Sequence, residues 1–134
     1  MEKVLVTGAT GYIGLHCIQQ LLDQGYAVNG SVRSPERKNE IYDALKKHNT
    51  PTDNLQIFTF NLTEDDGWDE GMEGCDYLMH VASPLAVANH GDEFFVGPAV
   101  SGAKRALKFA KKHNVKQVVL TSSVAALFET TVLK

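Results

Sequence analysis

Several features that would assign a chain to a class are scarce or missing in these 134 residues. There are two cysteines, Cys17 and Cys75, with no C-x-x-C pair and no ligand spacing. That excludes a disulfide framework and a thiolate metal site, and points to a reduced, cytoplasmic setting. Positive charge is not in excess, since 13 Lys and Arg stand against 16 Asp and Glu for a formal charge of −3. With no basic face to track phosphates, nucleic acid is not expected as a partner. No apolar run approaches the roughly 20 residues of a transmembrane helix. Met1-Glu2-Lys3 leads only into Val4-Leu5-Val6 before Thr7-Gly8, so no signal peptide is expected and no membrane partner either. His16, His48, His90 and His113 have no metal spacing with any carboxylate or thiol, so no metal site is expected. Repeats, low-complexity tracts and linkers are also missing. What remains is one globular domain, residues 1–134, large enough to bury roughly two-thirds of its unfolded surface.

What is present is an alternation of two segment types. Val4-Leu5-Val6 is a short apolar, β-branched run closed by Thr7-Gly8, the pattern of a buried strand. From Tyr12 the period lengthens: Ile13, Cys17, Ile18, Leu21 and Leu22 share a helical face, and Gly25 ends it. Further strands are predicted at 26–32, 55–60, 76–81 and 115–121. Ser34-Pro35 predicts an N-cap followed by proline at the first position of a helix. That helix carries Ile41, Ala44, Leu45 and His48 on one face. Residues 63–71 read as a short acidic helix anchored by Trp68, with Asp65-Asp66 and Asp69-Glu70 on a solvated face. A loop at 84–91 precedes a long helix with Ala99, Ala103, Ala106, Leu107 and Ala110 on one side. His80, inside an apolar strand, reads as a satisfied core histidine. The alternation predicts an α/β fold of the Rossmann type: a doubly wound parallel sheet of five strands, order 3-2-1-4-5, between two helical layers.

The strongest chemical signal is Gly8-x-x-Gly11-x-x-Gly14, placed between the first strand and the first helix. The first glycine permits a tight turn, the second lets backbone approach a pyrophosphate, and the third allows close packing. The helix start then offers N–H groups and a partial positive charge to phosphates. Glycine triplets occur by composition alone, but here the strand before and the amphipathic helix after complete the context of a dinucleotide site. At the end of the second strand, where an acidic residue would hold a ribose 2′-hydroxyl, the chain has Ser31-Val32-Arg33-Ser34. A guanidinium matches a 2′-phosphate bidentately, so Arg33, with Lys38 in weaker support, favours NADP(H) over NAD(H), which stays possible.

These residues together resemble a known family. The glycine loop, Arg33, His80-Val81-Ala82-Ser83-Pro84, Pro98-Ala99-Val100-x-Gly102 and Leu120-Thr121-Ser122-Ser123 are similar to the extended short-chain dehydrogenase/reductases. Within them the chain resembles the dihydroflavonol reductase and cinnamoyl-CoA reductase group, over essentially its whole length. The resemblance implies that Gly8, Thr10, Gly11, Tyr12, Ile13 and Gly14 contact the pyrophosphate side and that Arg33 holds the 2′-phosphate. It places Asn61-Leu62 beside the adenine, where the family has Asp-Leu; an Asn oxygen still accepts from the adenine amine, without the charge. It implies that Val81, Ala82 and Ser83 line the nicotinamide ribose and that Thr121 and Ser122 complete the cofactor site. Ser123 matches the catalytic serine that hydrogen-bonds a substrate carbonyl oxygen.

The resemblance also implies a Tyr-x-x-x-Lys pair on the helix after the fifth strand, one turn apart on one face. Lys would lower the Tyr pKa, and Tyr would give a proton to the oxygen as hydride reaches carbon. The sequence reaches Lys134 before such a helix could deliver the pair to Ser123, so residues 1–134 are expected to lack that tyrosine and lysine, as in a C-terminally truncated member. Tyr42-Asp43-Ala44-Leu45-Lys46 matches the spacing but stands on the helix between the second and third strands, so it is read as surface. Three functions follow: the NADP(H)-binding domain of a carbonyl reductase acting on a small aldehyde or ketone, a non-catalytic dinucleotide-binding or redox-sensing module, or part of an NAD-dependent nucleotide-sugar epimerase/dehydratase. Arg33 disfavours the last. The fifth strand and the apolar tail carrying Val124, Leu127, Phe128, Val132 and Leu133 are expected to drive homo-oligomer formation.

Overall fold

A computed structural model describes residues 1–81 and 92–120, with residues 92–100 described as helical backbone only. The strands are β1 (Lys3–Thr7), β2 (Ala27–Val32), β3 (Leu55–Thr59), β4 (Tyr77–His80) and β5 (Gln117–Leu120). The helices are α1 (Tyr12–Asp23), α2 (Lys38–Lys47), α3 (Trp68–Met72) and α4 (Asp92–Lys112). All strand pairings are parallel, and the sheet order is β3-β2-β1-β4-β5, the expected Rossmann-type order. Among the described residues, no helix is long and apolar enough to cross a membrane.

The alternation of side chains along β1 divides the core into two layers. Val4 and Val6 face a cluster with Ile18 of α1, Val28 and Val32 of β2, and Ile41 and Leu45 of α2. Leu5 faces the opposite cluster of Phe60, Trp68, Met72, Leu78, Ala106, Phe109 and Ala110, under α3 and α4. β1 is apolar on both faces because both are covered, as a parallel sheet requires. Helix exits feed the strands through one repeated device. The Tyr26 amide donates to the Leu21 carbonyl, Thr50 to Leu45 and Val115 to Ala110, at 3.0, 3.0 and 2.9 Å. Each is the long backbone bond of a Schellman ending, which spends the orphan carbonyls of the last turn.

Several local expectations need correction. Pro35 opens a separate 3₁₀ turn, Pro35–Arg37, and α2 starts only at Lys38. Ser34 occupies the capping position but makes no side-chain cap bond. Its hydroxyl hydrogen-bonds the Glu36 carboxylate instead, which helps hold that carboxyl below its usual range. His48 is the exposed C-cap of α2 and not part of its buried face. The acidic helix at 63–71 shrinks to Trp68–Met72, because Gly67 adopts φ +89° to bring the chain against Phe60. On α4, Ala106 and Ala110 are buried as expected, but the large residue beside them is Phe109, stacked on Trp68 at 5.8 Å, whereas Leu107 is 46 % exposed. Val115 closes α4, so β5 begins at Gln117.

Asp65 and Asp69 do lie on a solvated face, 53 % and 49 % exposed, but both are ion-paired. Asp65 pairs with Lys108 and Arg105 at 2.8 and 2.6 Å, and Asp69 with Lys112 and His113, both at 2.9 Å. Hydrogen bonds from Lys108 and then Arg105 hold the Asp65 carboxyl below its ordinary range, and those from His113 and then Lys112 do so for Asp69. These pairs fasten α4 to the segment that follows β3.

Candidate dinucleotide-binding site

In a parallel sheet every strand ends at the same edge, and the order reverses on either side of β1. The chain leaves β1 toward β2 and later returns to the other side as β4, so a crevice opens at this edge between their exits. The glycine loop leaves β1 there. Gly8 takes φ +73°, closing a turn in which the Gly11 amide donates to the Gly8 carbonyl at 3.1 Å. The turn is tethered to β2: the Gly8 amide donates to Ser31 Oγ at 3.3 Å, and the Ala9 amide to the Ser31 carbonyl at 3.0 Å. Ala9 is fully buried beneath it.

The glycines do not play identical parts. A Cβ on Gly14 would stand 2.1 Å from the Gly8 carbonyl oxygen, so the helix start presses on the turn itself. A Cβ on Gly11 would meet nothing nearer than 3.4 Å, and Gly11 is exposed at the head of α1. The protein's own packing therefore does not demand glycine at 11. An external group approaching the backbone would. No side chain caps Gly11, and the first turn of α1 has no acidic residue. Its N–H groups thus face outward in a positive field suited to phosphate. Tyr12 and Ile13 are 81 % and 52 % exposed, apolar surface at the lip of the same crevice. The residues present fit a dinucleotide pyrophosphate.

The flanks are set by neighbouring strands. Arg33 follows β2 and is exposed, and Lys38 begins α2 one 3₁₀ turn later, partly buried. Arg37, between them, pairs with Glu40 at 3.3 Å. The Phe60 amide donates to the Val32 carbonyl at 3.1 Å, so Asn61 and Leu62 emerge beside Arg33. Asn61 Oδ1 accepts from the amide and the hydroxyl of Thr63, at 3.2 and 3.1 Å, which engages the oxygen expected to meet an adenine amine. On the other side of β1, the Val81 amide donates to Thr7 Oγ1 at 3.0 Å, and His80 Nδ1 lies 2.9 Å from the same hydroxyl. Burial lowers the His80 pKa and so favours the neutral ring, a core histidine with a partner. Thr10 stands in the loop between Ala9 and Gly11, partly buried. Ala82, Ser83, Thr121, Ser122 and Ser123 lie outside the described residues, as does the apolar tail.

The fold brings together Gly8 to Gly14, Arg33, Asn61, Leu62 and Val81 at one edge, and sets Tyr42 and Lys46 apart from it. Those two line a shallow cleft with Asn49 and Thr50, directly before β3 begins. Ser31, Thr7 and Arg105 were not singled out from the sequence; strand-end serines and threonines and helix arginines carry no motif. Among the described residues no cluster of His, Cys, Asp or Glu could hold a metal. Cys75 is buried, which pushes its thiol up to about 11 and leaves it inert at neutral pH.

The profile of the NAD dependent epimerase/dehydratase family matches residues 4–130. The chain is 36 % identical over 128 residues to anthocyanidin reductase of Arabidopsis thaliana, covering 94 % of this chain and 37 % of that protein. It is 39 % identical over 127 residues to a cinnamoyl-CoA reductase of Medicago truncatula, covering 92 % and 38 %. In structure it resembles yeast methylglyoxal/isovaleraldehyde reductase Gre2 complexed with NADPH, with a TM-score of 0.81 and 30 % identity, over 96 % of this chain and 39 % of that one. The chain therefore spans less than two-fifths of the length of each of these proteins.

Proposed function

The chain belongs to the NAD dependent epimerase/dehydratase family, and on that premise we propose that it forms the NADP(H)-binding part of a carbonyl reductase. The observation that carries this reading is the loop from Gly8 to Gly14 at the crevice beside β1, with an exposed guanidinium, Arg33, at the end of β2. The loop and the start of α1 receive the pyrophosphate, and Arg33 takes the 2′-phosphate, with Lys38 close behind. Asn61 and Leu62 border the adenine, and Val81 with Ala82 and Ser83 borders the nicotinamide ribose. The Gre2 structure complexed with NADPH supports NADP(H), and the reductases among the relatives support a reductase over an epimerase.

When bound, the cofactor supplies a hydride to the carbonyl carbon of a small aldehyde or ketone. Ser123 orients the carbonyl oxygen through its hydroxyl, with Thr121 and Ser122 on the cofactor side. The proton for that oxygen needs a Tyr-x-x-x-Lys pair. Residues 1–134 contain that spacing only at Tyr42 to Lys46, which the fold keeps away from the crevice. Cofactor binding is thus the function proposed for this stretch, and reduction belongs to a chain that carries the pair.

Titration calorimetry with NADPH and NADH tests the reading. NADPH is expected to bind at least about tenfold tighter than NADH, a difference near 1.4 kcal/mol from one charge-assisted phosphate contact. Arg33→Ala should remove that preference while leaving NADH affinity within about twofold. Equal affinity of the unchanged protein for both dinucleotides would reject NADP(H) selectivity.

A further inference from the structure

We propose that Arg105 is a positioning residue for the adenine end of the cleft, holding in place the turn that carries Asn61 and Leu62. This rests on the dinucleotide-binding reading. The turn leaves β3 beside Arg33, and past Phe60 it has no strand ladder to hold it. Backbone bonds there are long, from the Glu64 amide to the Asn61 carbonyl and from the Trp68 amide to the Asp65 carbonyl, both at 3.4 Å, and side chains add the shorter ones. Trp68 Nε1 donates to the Asn61 carbonyl at 3.1 Å. Arg105 Nη1 donates to the Leu62 carbonyl at 2.5 Å and to Ser101 Oγ at 3.2 Å, while Nε donates to Asp65 Oδ1 at 2.6 Å. One guanidinium, 19 % exposed, thus grips both ends of a four-residue turn from α4.

A second observation converges on the same residue. One turn before Arg105, Gly102 lets α4 approach Leu62 so closely that a Cβ there would stand 3.2 Å from Leu62 Cβ. Glycine brings the helix in, and arginine then fixes the backbone it meets. The fork geometry matters, because a lysine ammonium is a single point and cannot span a carbonyl and a carboxylate in fixed directions. Lys108 supplies the contrast. It pairs with the same Asp65 at 2.8 Å, but it is 57 % exposed and reaches the carboxylate rather than the Leu62 carbonyl. If the turn mattered only as an ion-pair anchor, the two cations would be interchangeable.

The test uses the 134-residue protein and 2′,5′-ADP, the adenine end of NADP(H), followed by calorimetry and by amide chemical shifts. Arg105→Met keeps the aliphatic stem and removes the donors; it is expected to weaken 2′,5′-ADP about tenfold, the scale of losing one charge-assisted hydrogen bond. Amide shifts should move at residues 61–65, while those of Gly8, Gly11 and Gly14 stay put. Arg105→Lys, which preserves charge and protects the fold, should fall between the two. Lys108→Ala should bind within about twofold of the unchanged protein. The proposal is overturned if Arg105→Met and Arg105→Lys both bind normally, if Lys108→Ala loses as much, or if the glycine-loop amides shift as far as the turn. Failure of the unchanged protein to bind 2′,5′-ADP would overturn the dinucleotide reading itself.

Discussion

Gly11 and Gly14 stand one turn apart in the same loop, yet the structure asks different things of them. A methyl group at 14 would lie 2.1 Å from a backbone oxygen that is itself held in a tight turn. Neither side can give way cheaply, so Gly14→Ala should lose about 2 kcal/mol or more, the range for overpacking against fixed atoms. A methyl group at 11 meets only 3.4 Å contacts. Gly11→Ala should cost about 1 kcal/mol or less, the usual difference between glycine and alanine at a helix N-cap. Its effect should appear in ligand affinity, as at least a tenfold loss for NADPH. Urea unfolding and calorimetry on the two variants check the split. Residue types and spacing identified this loop, whereas the division of labour within it needed coordinates. Spacing cannot say that Gly14 packs on the Gly8 carbonyl, nor that Ser31 ties the loop to β2 through both its hydroxyl and its carbonyl.

At the scale of elements, β1 and β4 are joined at their exits by more than the strand ladder. Thr7 Oγ1 accepts from the Val81 amide and lies within hydrogen-bond reach of His80 Nδ1, beneath Trp68, whose ring centre is 6.3 Å from that of His80. Burial lowers the His80 pKa below its ordinary 6.5, so near that pH the unfolded chain binds more protons than the folded one. The stability His80 allows is complete above pH 6.5 and is lost as the pH falls from 6.5 toward the depressed folded value. His80→Gln, which carries no titrating ring, should therefore show a flatter fall in stability between pH 7 and pH 5. Chemical denaturation of both proteins across that range gives the difference, and identical pH slopes would contradict it.

Strands and long helices were legible because their apolar periods are unambiguous. The true length of the helix within 63–71 is not legible locally, because neither the positive φ of Gly67 nor the ion pairs to α4 leave an apolar period. Phe109 and Leu107, two positions apart on α4, cannot both face the sheet, and the apolar period alone does not choose between them. Only the position of Trp68 decides between them.

For the molecule as a whole, function follows from where the topology reverses. Order β3-β2-β1-β4-β5 places the exits of β1, β2, β3 and β4 along one edge, with the glycine loop at the centre. Arg33 and the Asn61 turn stand to one side and Val81 to the other. That arrangement was readable from the alternation of segments and from one loop, because right-handed crossovers leave few ways to wind such a chain. The supports that hold the arrangement, Arg105 and the Thr7–His80 pair, were not, since each joins residues far apart in the chain.

The most direct check is an amide chemical-shift titration of the protein with NADPH. The cleft at this edge predicts saturable shifts centred on Gly8 and on Gly11 to Gly14, extending to Arg33, to residues 61–63 and to Val81, with α2 near Tyr42 and Lys46 unmoved. An absence of saturable shifts up to millimolar NADPH, or shifts centred on Tyr42 to Thr52, would contradict it.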